Sequence, residues 1–198
     1  MDVTAYEHVK FRPWIGPDYR EGEGVMVLGE SHYDTGEEPS SFTETVVGRY
    51  VRGDTKGWKT RIFTKTARLF LMDAVGERAS LDTCHKFWNG VMFYNYIQEY
   101  VGPKSRIAPA EHMWQEAVCP FKEIVARHRP RLVLMLGQRL ASHFDPCHKK
   151  AHPEIVFVEI HHPQGRGWRY ADWVPPLRSA VEKARIFPAK DQDLQREL

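Results

Sequence analysis

Four apolar residues, Val25-Met26-Val27-Leu28, run straight into Gly29 and then into the polar cluster Glu30-Ser31-His32-Tyr33-Asp34. A short unbroken apolar run predicts a strand buried on both faces, as in a parallel sheet covered by helices. Gly29 permits a tight exit from that strand. The polar cluster then falls just past the strand's carboxyl end, where open α/β sheets bind ligands. Three later stretches repeat the plan: Val91-Met92-Phe93-Tyr94 into Asn95, Leu132 to Leu136 into Gly137, and Ile155 to Ile160 into His161-His162-Pro163. Glu30, Ser31, His32, Asn95, His161 and His162 are therefore expected along one rim of one sheet.

The segments between these runs carry helical periodicity. Ser41-Phe42-Thr43-Glu44 fits a capping box opening a helix over Thr43 to Tyr50. Ile62 to Val75 is a second helix, with Gly76 as its stop. A helix from Pro109 through Val125 is kinked or divided at Pro120, and another begins at Gly137-Gln138. Pro175 opens a final helix running to Phe187, and 188–198 is a charged, frayed tail. Residues 1–22 form an aromatic arm of irregular structure over an edge of the sheet. Strands alternating with helices predict a single α/β domain over 1–198, a three-layer α/β/α sandwich around a four-stranded, mostly parallel sheet.

At 198 residues, 42% hydrophobic and 27% charged, the chain can bury a core and is not of disordered composition. A net charge of +2 does not by itself point to nucleic acid. Its distribution does. Residues 49–61 set five Lys/Arg among Tyr50 and Trp58, and 163–173 combine Arg166 and Arg169 with Trp168, Tyr170 and Trp173. Basic side chains interleaved with aromatics suit a phosphate backbone and exposed bases, and equally an ordinary solvated loop. Cys84, Cys119 and Cys147 are widely spaced, without a CxxC pair or an even set. Cys147-His148…His152 lacks a fourth ligand, so no metal is expected. With no signal-peptide pattern and no run of about 20 apolar residues, a cytoplasmic protein without a membrane span is expected.

Over residues 23–187 the order of motifs resembles the uracil-DNA glycosylase superfamily. Gly29-Glu30-Ser31-His32-Tyr33 stands in the place of motif A. Tyr94-Asn95-Tyr96 stands where the second strand delivers an Asn that reads a pyrimidine edge. Arg129-Pro130 through Leu136-Gly137 matches the helix and strand that follow, and His162-Pro163-Gln164 matches motif B, His-Pro-Ser or a variant. Ser31 replaces the Asp or Asn that often activates water, and Gln164 replaces the motif B serine. Glu30 resembles the Gly-Glu-Ala-Pro-Gly motif of the iron–sulfur branch, but three cysteines cannot hold that cluster, and no cofactor is expected. The resemblance implies a DNA N-glycosylase of a divergent branch, a monomer acting on a damaged or deaminated base such as uracil in single- or double-stranded DNA.

N-glycosidic cleavage needs a flipped base in a pocket, donors aimed at the charge developing on it, and a positioned water. The resemblance puts Glu30 on the water and His162 on a base carbonyl oxygen as the catalytic pair. Ser31, Tyr33, Phe42 and Asn95 form the base pocket, Asn95 offering both donor and acceptor. Arg166, Trp168 and Arg169 contact DNA, the arginines holding phosphate and the indole filling the gap left by the base. Each has an alternative use. Glu30 can pair with an arginine, Asn95 can satisfy loop backbone, and His162 before a proline can be a hydrogen-bonded structural histidine. A non-catalytic DNA- or modified-base-binding protein and an enzyme on free nucleosides are the other two readings.

Overall fold

The structure, a computed structural model, describes residues 6–33, 39–54, 60–72, 79–103 and 107–186. The core of the loop at 34–41, Trp58 and its basic neighbours at 55–59, the stop at Gly76, and Phe187 with the 188–198 tail lie outside the described residues.

The four apolar runs form four parallel strands: β2 (Val25–Gly29), β3 (Val91–Asn95), β4 (Leu132–Leu136) and β5 (Val156–Ile160). The sheet has a fifth member. Trp14–Ile15 in the N-terminal arm forms β1 and pairs antiparallel with β3, so the sheet is mixed, in the order β1-β3-β2-β4-β5. The expected four-stranded sheet and wholly irregular arm are corrected accordingly. β3 would otherwise be an open edge, and a two-residue strand shields it. The Trp14 indole N–H fixes that strand by donating to the Trp88 carbonyl at 2.9 Å.

Side chains of the parallel strands alternate between two cores, as a period of two requires. Val25, Val27, Phe93 and Leu134 face one side, where they meet α1 (Phe42–Val51), α2 (Arg61–Phe70), α3 (Leu81–Asn89) and α8 (Tyr170–Ala184). Met26, Leu28, Tyr94 and Met135 face the other, against α4 (Glu111–Glu116), α5 (Val118–His128) and α6 (Gln138–His143). A further helix, α7 (Pro146–Ala151), follows α6. No described helix is long and apolar enough to cross a membrane.

Several helix boundaries depart from expectation for identifiable reasons. Ser41 makes no side-chain cap and closes a 3₁₀ turn over Pro39–Ser41, and the Glu44 carboxylate of the expected capping box pairs with Arg12 at 2.9 Å instead. The helix at 109–125 divides at Ala117 rather than at Pro120. Pro120 occupies the first turn of α5, where a missing N–H costs no helical bond. α8 starts five residues before Pro175, its first turn braced by Arg169 on Asp172. α7 lies where a polar link was expected, since Asp145 accepts from the Cys147 N–H and Pro146 opens the helix. His148 is thereby buried, its Nε2 3.2 Å from the Tyr96 hydroxyl. α3 carries its own start signal in Ser80, which accepts from the Thr83 N–H.

The sheet order creates a switch point. Chain leaving β2 turns onto one face toward β3, whereas chain leaving the adjacent β4 turns onto the other face toward β5. A crevice opens where two such connections diverge at strand carboxyl ends.

Trp88 is fully buried against Phe63 and Phe93 and donates its indole N–H to the Phe63 carbonyl. Trp88→Ala is expected to cost about 3–5 kcal/mol in urea unfolding, with the lost bond adding to the cavity. A loss below about 1 kcal/mol would place Trp88 outside the core.

Candidate functional site at the carboxyl rim of the sheet

At the end of β2, Gly29 stands in register with Asn95 at the end of β3. A Cβ on Gly29 would lie 2.0 Å from the Asn95 Oδ1, so only glycine lets that amide sit against the strand. Beyond the sheet the two loops stay joined. The carbonyls of Gly29, Glu30 and His32 accept from the N–H groups of Tyr96, Ile97 and Val101.

Behind these loops lies a buried polar network. The Asn95 Nδ2 lies 3.0 and 3.1 Å from the two ring nitrogens of His32, and the His32 Nε2 lies 2.7 Å from the Thr43 hydroxyl. The Asn95 amide nitrogen can only donate, so the imidazole accepts and is neutral. Burial enforces this, pushing the His32 pKa down to about 3. Phe11 and Phe42 pack on the same ring with centroids at 4.9 and 4.7 Å. Phe42 and Asn95 are each 5% exposed, so both belong to this interior network rather than to an open pocket wall.

In front of it, the Glu30 carboxylate meets the Arg139 guanidinium in a two-point pair. Nε donates to Oε2 at 2.8 Å and Nη2 donates to Oε1. Glu30 follows β2 and Arg139 opens α6 after β4, so the pair bridges the two connections that diverge at the switch point. The carboxylate raises the Arg139 pKa still further above its ordinary value. The Tyr33 ring is half-buried. Ser31 is half-buried between Glu30 and His32.

His162 joins this group from the end of β5. Its carbonyl accepts from Gly165 at 2.7 Å, closing a tight turn, and its Nδ1 accepts from the Gln164 N–H at 3.2 Å. With Nδ1 occupied as an acceptor, the neutral ring carries its proton on Nε2, a free-standing donor type for an oxygen ligand. Gly137, at φ 120°, brings the β4 loop against His162, where a Cβ would sit 3.7 Å from that of His162. Desolvation lowers the His162 pKa, the charge of Glu30 raises it and that of Arg139 lowers it.

The loop after β5 spends its residues unevenly. Arg166 is exposed and makes no ion pair among the described residues. Arg169 is committed to Asp172, with Nη2 to Oδ1 at 2.8 Å. Trp168 is half-buried and donates to the His161 carbonyl at 3.0 Å. The His161 ring packs 4.5 Å from Trp173.

The structure thus pairs Glu30 with Arg139, sets His162 within electrostatic reach of both, holds Asn95 and Phe42 on His32, and keeps Arg166, Trp168 and Arg169 on a separate loop. Arg139, Thr43 and Phe11 were not anticipated. Arg139 had a usable signal, since it stands two residues past the β4 glycine, at the same rim where Glu30 follows the β2 glycine. Among the described residues no group of three or more His, Cys, Asp or Glu is placed to hold a metal ion.

The buried histidines make stability pH-dependent. His32, at about 3, and His148, at about 4, both lie below the ordinary histidine value. The unfolded chain therefore binds protons first. Their contribution is complete above pH ~6.5 and is lost as pH falls toward 4 and then 3. In urea unfolding across that window, His148→Phe should flatten the slope of stability against pH relative to wild type. An unchanged slope would mean that His148 is not held neutral.

Compared with known proteins, the chain matches no protein-family model and no curated protein.

Proposed function

We propose that the chain is a DNA glycosylase-like hydrolase, cleaving the N-glycosidic bond of a damaged or deaminated base such as uracil. The observation that carries the proposal is the two-point Glu30–Arg139 pair across the carboxyl-end switch point of the sheet, with His162 within electrostatic reach of both charges.

On this reading the flipped base enters the crevice between the β2 and β4 loops. The His162 Nε2–H donates to a base carbonyl oxygen as negative charge grows there. Glu30, aimed by Arg139, uses its remaining lone pairs to orient water at the sugar carbon. Neutral His32 backs the β2 loop from the interior and keeps a second positive charge away from the electron-poor sugar. Arg166 supplies a phosphate contact.

A second reading is favoured by one observation. The Asn95 amide nitrogen is spent on His32 and its oxygen faces Gly29, which leaves little of it for a pyrimidine edge. That suits a non-catalytic protein of this kind that binds DNA or a modified base.

The test is base release from single- and double-stranded oligonucleotides carrying uracil, hypoxanthine, xanthine or hydroxymethyluracil. Wild type should release at least one of these bases, and Glu30→Gln and His162→Ala should each lower the rate by about 10²-fold or more. Absence of release at high enzyme, with salt-dependent DNA binding intact, would contradict hydrolysis and favour the binding reading. Weak, salt-insensitive DNA binding would instead point to a free nucleoside.

A further inference from the structure

Lys65, on α2, stands against the loop that follows β5. Its ammonium donates to the Pro163 carbonyl at 2.8 Å and lies 4.8 Å from the centroid of the Trp168 ring. Pro163 is buried and Trp168 half-buried, whereas 164–167 between them are exposed. The indole N–H of Trp168 returns to the His161 carbonyl. The two ends of the loop are thus held at one point, and one side chain touches both.

We infer that Lys65 is the positioning residue of this rim, a latch that fixes the 163–168 loop and, through the His162–Gly165 turn, the direction of His162. Apart from the His162 turn and the Trp168 indole bond, the tip of the loop has little of its own to hold it. Gly165 and Gly167 flank Arg166, Gly167 has φ 73°, and Arg166 has no ion pair among the described residues. A hydrogen bond from a charged donor combined with a cation over an indole face is strong for so small a contact. Lys65 itself has no carboxylate partner among the described residues, and Arg61 lies one turn away on α2. Two of its three N–H groups remain for an anion. The latch is therefore a cationic one, and a phosphodiester bound at the loop would tighten it. Its functional meaning rests on the reading of the rim as a DNA site, but its existence does not.

Limited trypsin digestion tests the latch without any assumption about activity. Wild type, K65M, K65R and W168F would be digested under native conditions, with cut sites assigned by mass spectrometry. Cleavage after Arg166 should be about tenfold faster in K65M and within about twofold of wild type in K65R, which keeps the donor and the cation. An unchanged rate in K65M, or K65R cut as fast as K65M, overturns the inference. Should K65M be cut faster at every site, unfolding is the cause and W168F decides. Loop-selective cleavage in W168F supports the latch, and its absence overturns it. Salt-dependent binding of a fluorescent oligonucleotide separates the two claims. Loop opening with weaker DNA binding in K65M supports both. Loop opening in a chain that binds no DNA at all leaves the latch standing and removes the DNA reading.

Discussion

The backbone beyond β2 has to find hydrogen-bond partners after the sheet ends, and it finds them on the loop after β3. The carbonyls of Gly29, Glu30 and His32 stay paired with the amides of Tyr96, Ile97 and Val101, so the ladder continues past the last strand residue. An unpaired buried carbonyl is costly, and this extension removes three such costs at once. It also fixes direction. Glu30 emerges toward β4 and meets Arg139, while His32 is turned inward onto Asn95 and Thr43. The absence of a side chain at Gly29 is what lets Asn95 close in behind the strand.

Two electrostatic layers follow. The inner one is neutral: His32 is buried among Phe11, Phe42 and Asn95, and its burial keeps it from taking a proton. The outer one is charged and partly wet, with the Glu30 side chain 15% exposed and that of Arg139 40% exposed. A pair at that depth is screened too much to be a large source of stability, yet its two-point geometry defines where each group points. His162 sits close enough to respond to both charges and presents one donor nitrogen. A carboxylate, a guanidinium and an imidazole donor are thus brought to the strand ends within electrostatic reach of one another.

Much of the fold was legible in the sequence because strands buried on both faces must be apolar throughout. Val25–Leu28, Val91–Tyr94 and Leu132–Leu136 could be little else. β1 was hidden, since two residues beside Pro13 and Gly16 carry no periodicity. Local helix signals were misleading in two places. Glu44 left the capping box for Arg12, and Asp145 capped a helix inside a stretch that reads as a polar link. At the site, strand-end placement was readable for Glu30, Asn95 and His162, but the orientation of a side chain was not. Whether Asn95 faces a pocket or a buried histidine depends on contacts 63 residues away in the chain, and the Glu30–Arg139 pair spans 109. Pairings at such separations leave no local trace.

Glu30, Arg139 and His162 form one electrostatic unit across the carboxyl rim. The most direct measurement is the His162 pKa by NMR titration in wild type, Glu30→Gln and Arg139→Met. Removing the Glu30 charge should lower that pKa, because the carboxylate favours the imidazolium. Removing the Arg139 charge should raise it. Opposite shifts would establish that His162 is coupled to both charges. A His162 pKa indifferent to both substitutions would contradict that coupling.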